Sequence, residues 1–379
     1  MEIRALFCDI DDFCLRFEPA WRQRLVSEGS LQPPWTSQLC VSEVMTIVVS
    51  FHQSGYRTFK DYFLRYVTPH LSWAFPRLVS YTRFVELMQA ALVPLCAYLQ
   101  TRKGKSQGIA FIDSTLLAVC HPRRSTRHKV FAGLAAWGKN ALGWTYGFEL
   151  HLLINDLGEL VACCLTAANV DDRKPALHLL KGLRGKVFGD RGYISQALFT
   201  TLFAQGVQLI TKLRKDMRNK LLPLMDKVLL RKWALIETVN DQLKNISQIE
   251  HSRHRSVANF LVNLVAGLIA YTYQAYRSYI AHSRAELGIA KNAYVKARSG
   301  WFSDRSAAYL ASGKPVLVQD TGLADHFPLG TGLIAFHTLE ELVEAAHALD
   351  ARYAEHCYGA RKLAAVSYTH LTLPTILRV

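Results

Sequence analysis

Three acids stand where a carboxylate needs a reason. Asp113 interrupts an apolar run, between Phe111 and Ile112 on one side and Leu116 and Leu117 on the other. Burying a lone carboxylate costs several kcal/mol unless a partner or a cation offsets it. Asp190 closes another apolar run within Gly189-Asp190-Arg191-Gly192-Tyr193, where glycines permit a tight exit and close backbone approach. Glu237 lies in RKWALIETVNDQLKNISQIEHSRHR, residues 231–255, which reads as one amphipathic helix at about 100° per residue. Its polar stripe runs Glu237, Asp241, Lys244, Gln248, His251, Arg255, opposite Leu235, Ile236, Val239, Leu243, Ile246 and Ile249. Carboxylates come first along the stripe, then amide, imidazole and cationic groups. That order suits a metal-binding acid beside a surface that follows a phosphate backbone. Three carboxylates around one point repel unless divalent cations neutralise them. Two Mg²⁺ ions roughly 3.5–4 Å apart, activating a nucleophile and stabilising a leaving oxygen, are the known use of such a set.

For these acids to meet, two strand ends and a helix must converge. GIAFIDSTLLAVC, GWTYGFELHLLIN and ELVACCLTAANV read as strands, with a hairpin turn at Asn155-Asp156-Leu157-Gly158 between the last two. A helix through DDRKPALHLLKGL, a strand KVFGDRGYI, a helix SQALFTTLFAQ and a strand VQLITKLR follow, before the helix that carries Glu237. The order β-β-β-α-β-α-β-α, its first three strands able to form a meander, is that of a ribonuclease-H-like α/β domain. If the first and fourth strands are neighbours, Asp113 and Asp190 reach one sheet edge. Glu149 and His151 alternate on a strand and either face solvent or support the acids from behind. Asp171 and Asp172 read as a helix cap and first-turn acid, and Asp9, Asp11 and Asp12 as a solvated helix start. No Gly-rich phosphate loop of the GxxxxGK type occurs.

Composition bounds the partners. The chain has 379 residues, half of them hydrophobic, enough for about two or three domains with sizeable cores. Formal net charge is +15, unevenly spread: residues 275–379 hold 11 Lys+Arg and 9 Asp+Glu, leaving 34 against 21 in the first 274. So basic a body implies a polyanionic partner, nucleic acid ahead of an anionic membrane surface. The eight cysteines form no CxxC pair and no zinc-spaced cluster, which fits reduced thiols in a cytoplasmic protein. MEIRALFCDIDDF lacks the basic-then-apolar order of a signal peptide. The longest apolar run, residues 260–271, is interrupted by Asn263 and falls short of the roughly 20 residues a bilayer demands. Residues 1–104 read as helical, with Ser42 capping EVMTIVVSFHQ and FVELMQAALVPLCAYLQ as a second apolar helix. Between them Arg57, Lys60, Arg65, Arg77 and Arg83 alternate with Tyr56, Phe59, Tyr62, Tyr66 and Trp73. Either DNA-backbone contact or an aromatic core with cations reaching outward accounts for that alternation.

FIDST, GDRGYIS and IETVNDQLKNISQIEHSRHRS resemble the three catalytic blocks of bacterial insertion-sequence transposases of the DDE type, specifically insertion-sequence family 982. FHQSGYRTFKDYF resembles that family's N-terminal region, and the likeness covers about residues 1–274. It implies a ribonuclease-H-like catalytic core that cuts the element's terminal inverted repeats and joins them to target DNA by in-line phosphoryl transfer. The implied cofactor is a pair of Mg²⁺ ions, with Mn²⁺ as a substitute. The family triad falls on Asp113, Asp190 and Glu237, as catalytic residues and as metal ligands. A homodimer on DNA, associated with the bacterial nucleoid and with no membrane partner, is implied as well. The wider superfamily's lysine seven residues after the glutamate falls on Lys244. Its tyrosine and arginine, seven and four residues before, fall on Leu230 and Trp233, so Arg231 or Lys232 would supply that phosphate contact. Arg123, Arg124, Arg127, Arg253 and Arg255 join Lys244 as expected phosphate contacts.

Beyond residue 274 the character changes. SRAELGIAKNAYVKARSGWFSDRSAAYLASGKPVLVQDTGL resembles the C-terminal half of a nucleotide-sugar glycosyltransferase. The resemblance implies a Rossmann-like lobe that grips a donor diphosphate, with Ser303, Asp304, Arg305 and Ser306 at helix N-termini. The closing VSYTHLTLPTILRV resembles translated sequencing-adapter read-through. Together the readings and resemblances imply an α/β protein: a helical DNA-binding region over 1–104, a ribonuclease-H-like mixed-sheet catalytic core over 105–274, a partial Rossmann-like fragment over 275–365 and an artefactual tail over 366–379. A catalytically inactive DNA-binding relic fused to a glycosyltransferase fragment is the alternative.

Overall fold

Strand β1 (Ile109–Ala118), the run that carries Asp113, is the middle of a mixed sheet in the computed structural model. The structure describes residues 3–27, 37–140, 143–211, 223–231, 233–250, 254–273, 283–290 and 292–372. They fall into two compact units, Met1–Ala275 and Tyr276–Val379.

Among the described residues of the first unit, six α-helices and a π-helix (Phe63–Val67) come before the sheet. The α-helices are α1 (Ile3–Ser27), α2 (Val41–Phe51), α3 (Phe59–Tyr62), α4 (Thr68–His70), α5 (Tyr81–Ala90) and α6 (Leu92–Arg102). The sheet adds β2 (Ala136–Asn140), β3 (Gly143–Asn155), β4 (Leu160–Ala167), β5 (Gly185–Gly189) and β6 (Val207–Thr211). Helices α7 (Arg173–Leu179) and α8 (Gln196–Ala204) flank β5, and α9 (Leu224–Arg231), α10 (Ala234–Asp241) and α11 (Val257–Tyr273) follow β6. Strand β3 pairs antiparallel with β1 on one side and with β4 on the other, while β1, β5 and β6 run parallel. The order β4-β3-β1-β5-β6 is the ribonuclease-H-like arrangement, with β1 and β5, the expected first and fourth strands, side by side. The β3–β4 turn forms as its residues dictate: the Asn155 side chain accepts N–H bonds from Leu157 and Glu159, and Gly158 takes φ 82°.

Alternation along β1 divides the sheet into two dry faces. Ala110, Ile112, Leu153, Val187 and Leu209 pack under α7 and α8. Phe111, Leu150, Leu152, Phe188 and Ile210 join a larger cluster with Ile236 and Val239 of α10 and Phe260 and Leu264 of α11. Helix α11, whose polar Asn263 is itself buried, is thus a core helix of this unit.

Several local expectations are corrected. The strand β2 was not foreseen, because its short, glycine-bearing AWGKN carries little strand signal. A Cβ at Gly138 would sit 2.4 Å from the Ala168 carbonyl oxygen, so that pairing admits glycine alone. Residues 231–255 are not one helix. Helix α10 passes into a π-turn at Gln242–Ile246, and Gln248 has φ 50°, so the polar stripe stops after Lys244. Cys40, not Ser42, precedes α2, and the Cys40 N–H donates to the Glu43 carboxylate at 2.7 Å. Ser42 is buried and donates to Asp11. Nor is Asp9 a solvated helix start: it accepts from Tyr98, Arg102 and Tyr273.

Around the first helices most of the aromatics point inward, though Tyr66 and Trp73 are exposed. Phe51, Phe59, Tyr62, Phe63 and Phe84 form one ring cluster, while Arg57, Lys60, Arg65, Arg77 and Arg83 are exposed. Among the described residues no single helix is long and apolar enough to cross a membrane; the α5–α6 pair passes by length and composition together but is bent by 60°.

The second unit has a three-stranded parallel sheet, β7 (Glu286–Gly288), β8 (Val316–Gln319) and β9 (Leu333–Phe336), in that order. Helices α12 (Asn292–Lys296), α13 (Asp304–Ala311), α14 (Leu339–Ala351) and α15 (Tyr353–Thr372) complete an α/β fold. Ser303 lies just before α13, Asp304 and Arg305 open it, and Ser306 is fully buried.

Candidate active site: carboxylates at one sheet edge

Asp113 lies where β1 runs past the end of β5, so its carboxyl belongs to the α10 side with Phe111 and its register partner Leu152. The carboxyl is largely buried, and its pKa is pushed up to about 8, first by burial and then by the charges of Asp190, Glu237 and Asp172. A hydrogen bond from the Ser114 backbone acts the other way. The Asn240 amide donates to Asp113 at 2.9 Å. Asn240 is one helical turn beyond Glu237 on α10, so the same face of that helix brings both groups to β1. Trp233, at the head of α10, donates its indole N–H to the Ile112 carbonyl at 3.3 Å and fixes the helix against the strand.

Asp190 leaves β5 in an extended conformation and caps a short 3-10 turn, Arg191–Tyr193, by accepting the Gly192 N–H at 2.8 Å. A Cβ on Gly192 would lie 2.9 Å from one Asp190 oxygen and 3.4 Å from an Asp172 oxygen. Glycine there lets two carboxylates approach each other. Tyr193 is buried beside the group, and its hydroxyl has no hydrogen-bond partner. Burial, and then the charges of Asp172, Asp113, Asp190 and Glu149, raise its pKa.

Thus Asp113 lies within electrostatic range of Asp190, Glu237 and a fourth acid, Asp172. Asp171 alone behaves as a cap residue: its carboxylate accepts from the Arg173 backbone at 3.0 Å and guanidinium at 2.7 Å, and those bonds hold its pKa near 2. Asp172 makes no cap bond; its carboxyl turns toward the site, where burial and then Asp190 raise its pKa against a Ser114 hydrogen bond. Sequence reading missed Asn240, Tyr193 and Ser114. The first two were within reach of it, as the residue one turn after Glu237 and the tyrosine of the glycine-rich exit.

Glu149 and His151 lie on the other face of the sheet. Their register partners on β1 are Leu116 and Ser114, neighbours of Asp113 in the chain but opposite to it in direction. Ser114 donates to Glu149 at 3.0 Å, and Glu149 is pushed up to about 7 by burial and then by Asp172. His151 is held down to about 4 by burial.

The expected phosphate contacts divide. Arg123, Arg124 and Arg127 sit exposed on a 3-10 turn, Pro122–Arg127, just beyond β1, and Arg255 is exposed before α11. Lys244 instead donates to the Leu116 carbonyl at 2.5 Å and pairs with Glu250 at 3.5 Å. Glu250 also accepts the Ala118 N–H at 3.1 Å, so the turn after α10 clamps the far end of β1. Arg231 ends α9 with its side chain outside the described residues, where Lys232, His251 and Arg253 also lie.

A buried carboxyl with other acids close by is a donor set that a divalent cation fits, because the ion's charge offsets both the burial penalty and the repulsion. Strand order and carboxylate placement together define the first unit as a ribonuclease-H-like core with an acidic cluster at the β1–β5 edge. Residues 103–257 match the family model described as "Transposase DDE domain". Residues 251–372 match one described as "Glycosyl transferase-like", a match that begins within the first unit. No curated protein matches the chain. Among solved structures, "Cryo-EM structure of piggyBac transposase synaptic complex with hairpin DNA (SNHP)" aligns with 67% of this chain and 71% of its own at 10% identity and TM-score 0.34, too distant to carry an argument.

Proposed function

We propose that the first unit is a metal-dependent DNA transposase of the bacterial insertion-sequence family 982 type, acting on the terminal inverted repeats of its element. Asp113, Asp190 and Glu237 are its catalytic residues and metal ligands, holding two Mg²⁺ ions or Mn²⁺ in their place. The observation that supports this is the placement of Asp113 on β1 beside β5, whose exit carries Asp190, with Asn240 of α10 donating to its carboxyl at 2.9 Å. A bound divalent cation there supplies Lewis-acid stabilisation of the reacting phosphate and its nucleophile. The protein's own groups do the rest. Asn240 holds the Asp113 carboxylate in one orientation, Gly192 fixes that of Asp190, and α10 sets Glu237 beside them. Apolar packing beneath β1 keeps the group rigid and excludes water from behind it.

Exposed Arg123, Arg124, Arg127 and Arg255 contact the DNA backbone, each phosphate contact adding affinity without sequence choice. Arg231, Lys232, Lys244 and Arg253 complete that set, and Lys244 would exchange its bond to the Leu116 carbonyl for a phosphate when DNA is bound. Residues 1–104 serve as the DNA-binding region and 105–274 as the catalytic domain, working as a homodimer on DNA at the nucleoid. Residues 275–365 are a glycosyltransferase-like fragment joined to it in a chimaeric frame, and 366–379 an artefactual tail.

The test is Asp113→Asn in a cleavage assay on terminal-repeat DNA. DNA binding persists and Mg²⁺-dependent end cleavage disappears; unchanged cleavage refutes the assignment.

A further inference from the structure

We propose that Glu149, His151 and Asp172 form a second metal site on the α7 face, sharing Asp172 with the Asp113 group and selective for a borderline ion such as Zn²⁺ over Mg²⁺. Each residue brings one ligand atom to within 4.8 Å of the others. The backbone builds the set with little freedom. Glu149 and His151 are two apart on β3 and share a face, held between β1 and β4. Asp172 comes from the turn that starts α7.

His151 supplies the independent sign of a missing ligand. It is 0% exposed, and its Nε2 lies 2.8 Å from the Thr166 hydroxyl. Its Nδ1 faces the Asp172 Oδ1 at 3.5 Å, within ion-pair range, and among the described residues neither atom has a hydrogen-bond partner. Buried polar atoms are normally satisfied, and a pair of orphans aimed at each other costs both their desolvation. One cation between them would satisfy both. Two ligands about 2.1 Å from a tetrahedral ion lie about 3.4 Å apart, close to the spacing found here. With Nε2–H donated to Thr166, the Nδ1 lone pair is free to ligate, the arrangement in which a metal-bound imidazole is oriented by its other nitrogen. Ser114, bonded to Glu149, orients the carboxylate in the same way. Imidazole with two carboxylates suits Zn²⁺, Fe²⁺ or Mn²⁺, whereas Mg²⁺ prefers oxygen ligands and water.

The proposal does not depend on the catalytic role of the opposite face, and its test is built to keep the two apart. The full chain carrying Asp113→Asn and Glu237→Gln is titrated with Co²⁺, a spectroscopic stand-in for Zn²⁺, followed by visible absorption and by proton NMR of contact-shifted imidazole signals. Saturable absorption with one exchangeable imidazole proton shifted far outside the ordinary range is expected, and a large excess of Mg²⁺ leaves it in place. Adding His151→Asn removes the shifted signal, and Glu149→Gln weakens binding about 10- to 100-fold, with circular dichroism confirming that both variants are folded. Absence of Co²⁺ binding in the parent overturns the proposal. So does binding that is indifferent to His151 and Glu149, or that Mg²⁺ displaces.

Discussion

Asp113 and Ser114 are adjacent in the chain and serve opposite sides of the same strand. On the α10 side Asp113 meets Glu237 and Asn240, which arrive from a helix more than a hundred residues later. On the α7 side Ser114 meets Glu149, His151 and Asp172, all from β3 and the turn after β4. The first group is assembled across the fold and depends on how α10 docks; the second is assembled from β3 and the turn after β4 and depends on strand register and on the backbone at the start of α7. Under the proposed roles, a site that admits and releases DNA gains from a ligand on a separate element, while one that only holds an ion gains from rigidity.

The sharpest way to separate the faces is Glu237→Gln. It should lower end cleavage by at least the order of 10³-fold while leaving Co²⁺ binding on the α7 side intact. Equal damage to both would erase the distinction. Gly192→Ala should do what Glu237→Gln does not. Its Cβ would press on an Asp190 oxygen at 2.9 Å and an Asp172 oxygen at 3.4 Å, so cleavage should fall about 10- to 100-fold and Co²⁺ affinity should weaken too. Cleavage and Co²⁺ titrations on the one variant check this.

The smallest effect is on pH dependence. Folded Asp113, with its pKa near 8, binds a proton more tightly than the unfolded chain does. Its contribution to stability is therefore complete below about pH 4 and is lost as pH rises toward 8. Glu149, raised to about 7, adds to the same trend from the other face. Cation-free protein should lose on the order of a few kcal/mol between pH 5 and 8, read as denaturation midpoints. Asp113→Asn should flatten that slope in part, leaving the share due to Glu149. A slope unchanged by the substitution would show that Asp113 is not protonated in the fold.

Much of the α10 face was legible in the sequence, because burying Asp113 among Phe111, Ile112 and Leu116 and placing Asp190 in a glycine exit each demand an explanation. The strand order followed from periodicity, and the hairpin from Asn155 and Gly158. Helical periodicity continues through Gln248 on paper, but the π-turn adds a residue to one turn and ends the stripe, which no polar pattern announces. Asp172 looked like a first-turn acid because it follows Asp171; which of two adjacent acids turns inward depends on the backbone angle at the helix start. The α7-side group was hidden for a related reason. Glu149 and His151 alternate as solvent-facing residues do, and it is the packing of α7 on that face of the sheet that covers them.

The central claim, that Asp113 ligates the ion that performs the cleavage, is tested most directly by Asp113→Cys with terminal-repeat DNA in Mg²⁺ and in Mn²⁺. A thiolate is a poor ligand for Mg²⁺ and a better one for Mn²⁺, so cleavage should vanish in Mg²⁺ and return in part in Mn²⁺. Cleavage that survives in Mg²⁺, or that is lost equally in both ions while the protein stays folded and binds DNA, would contradict it.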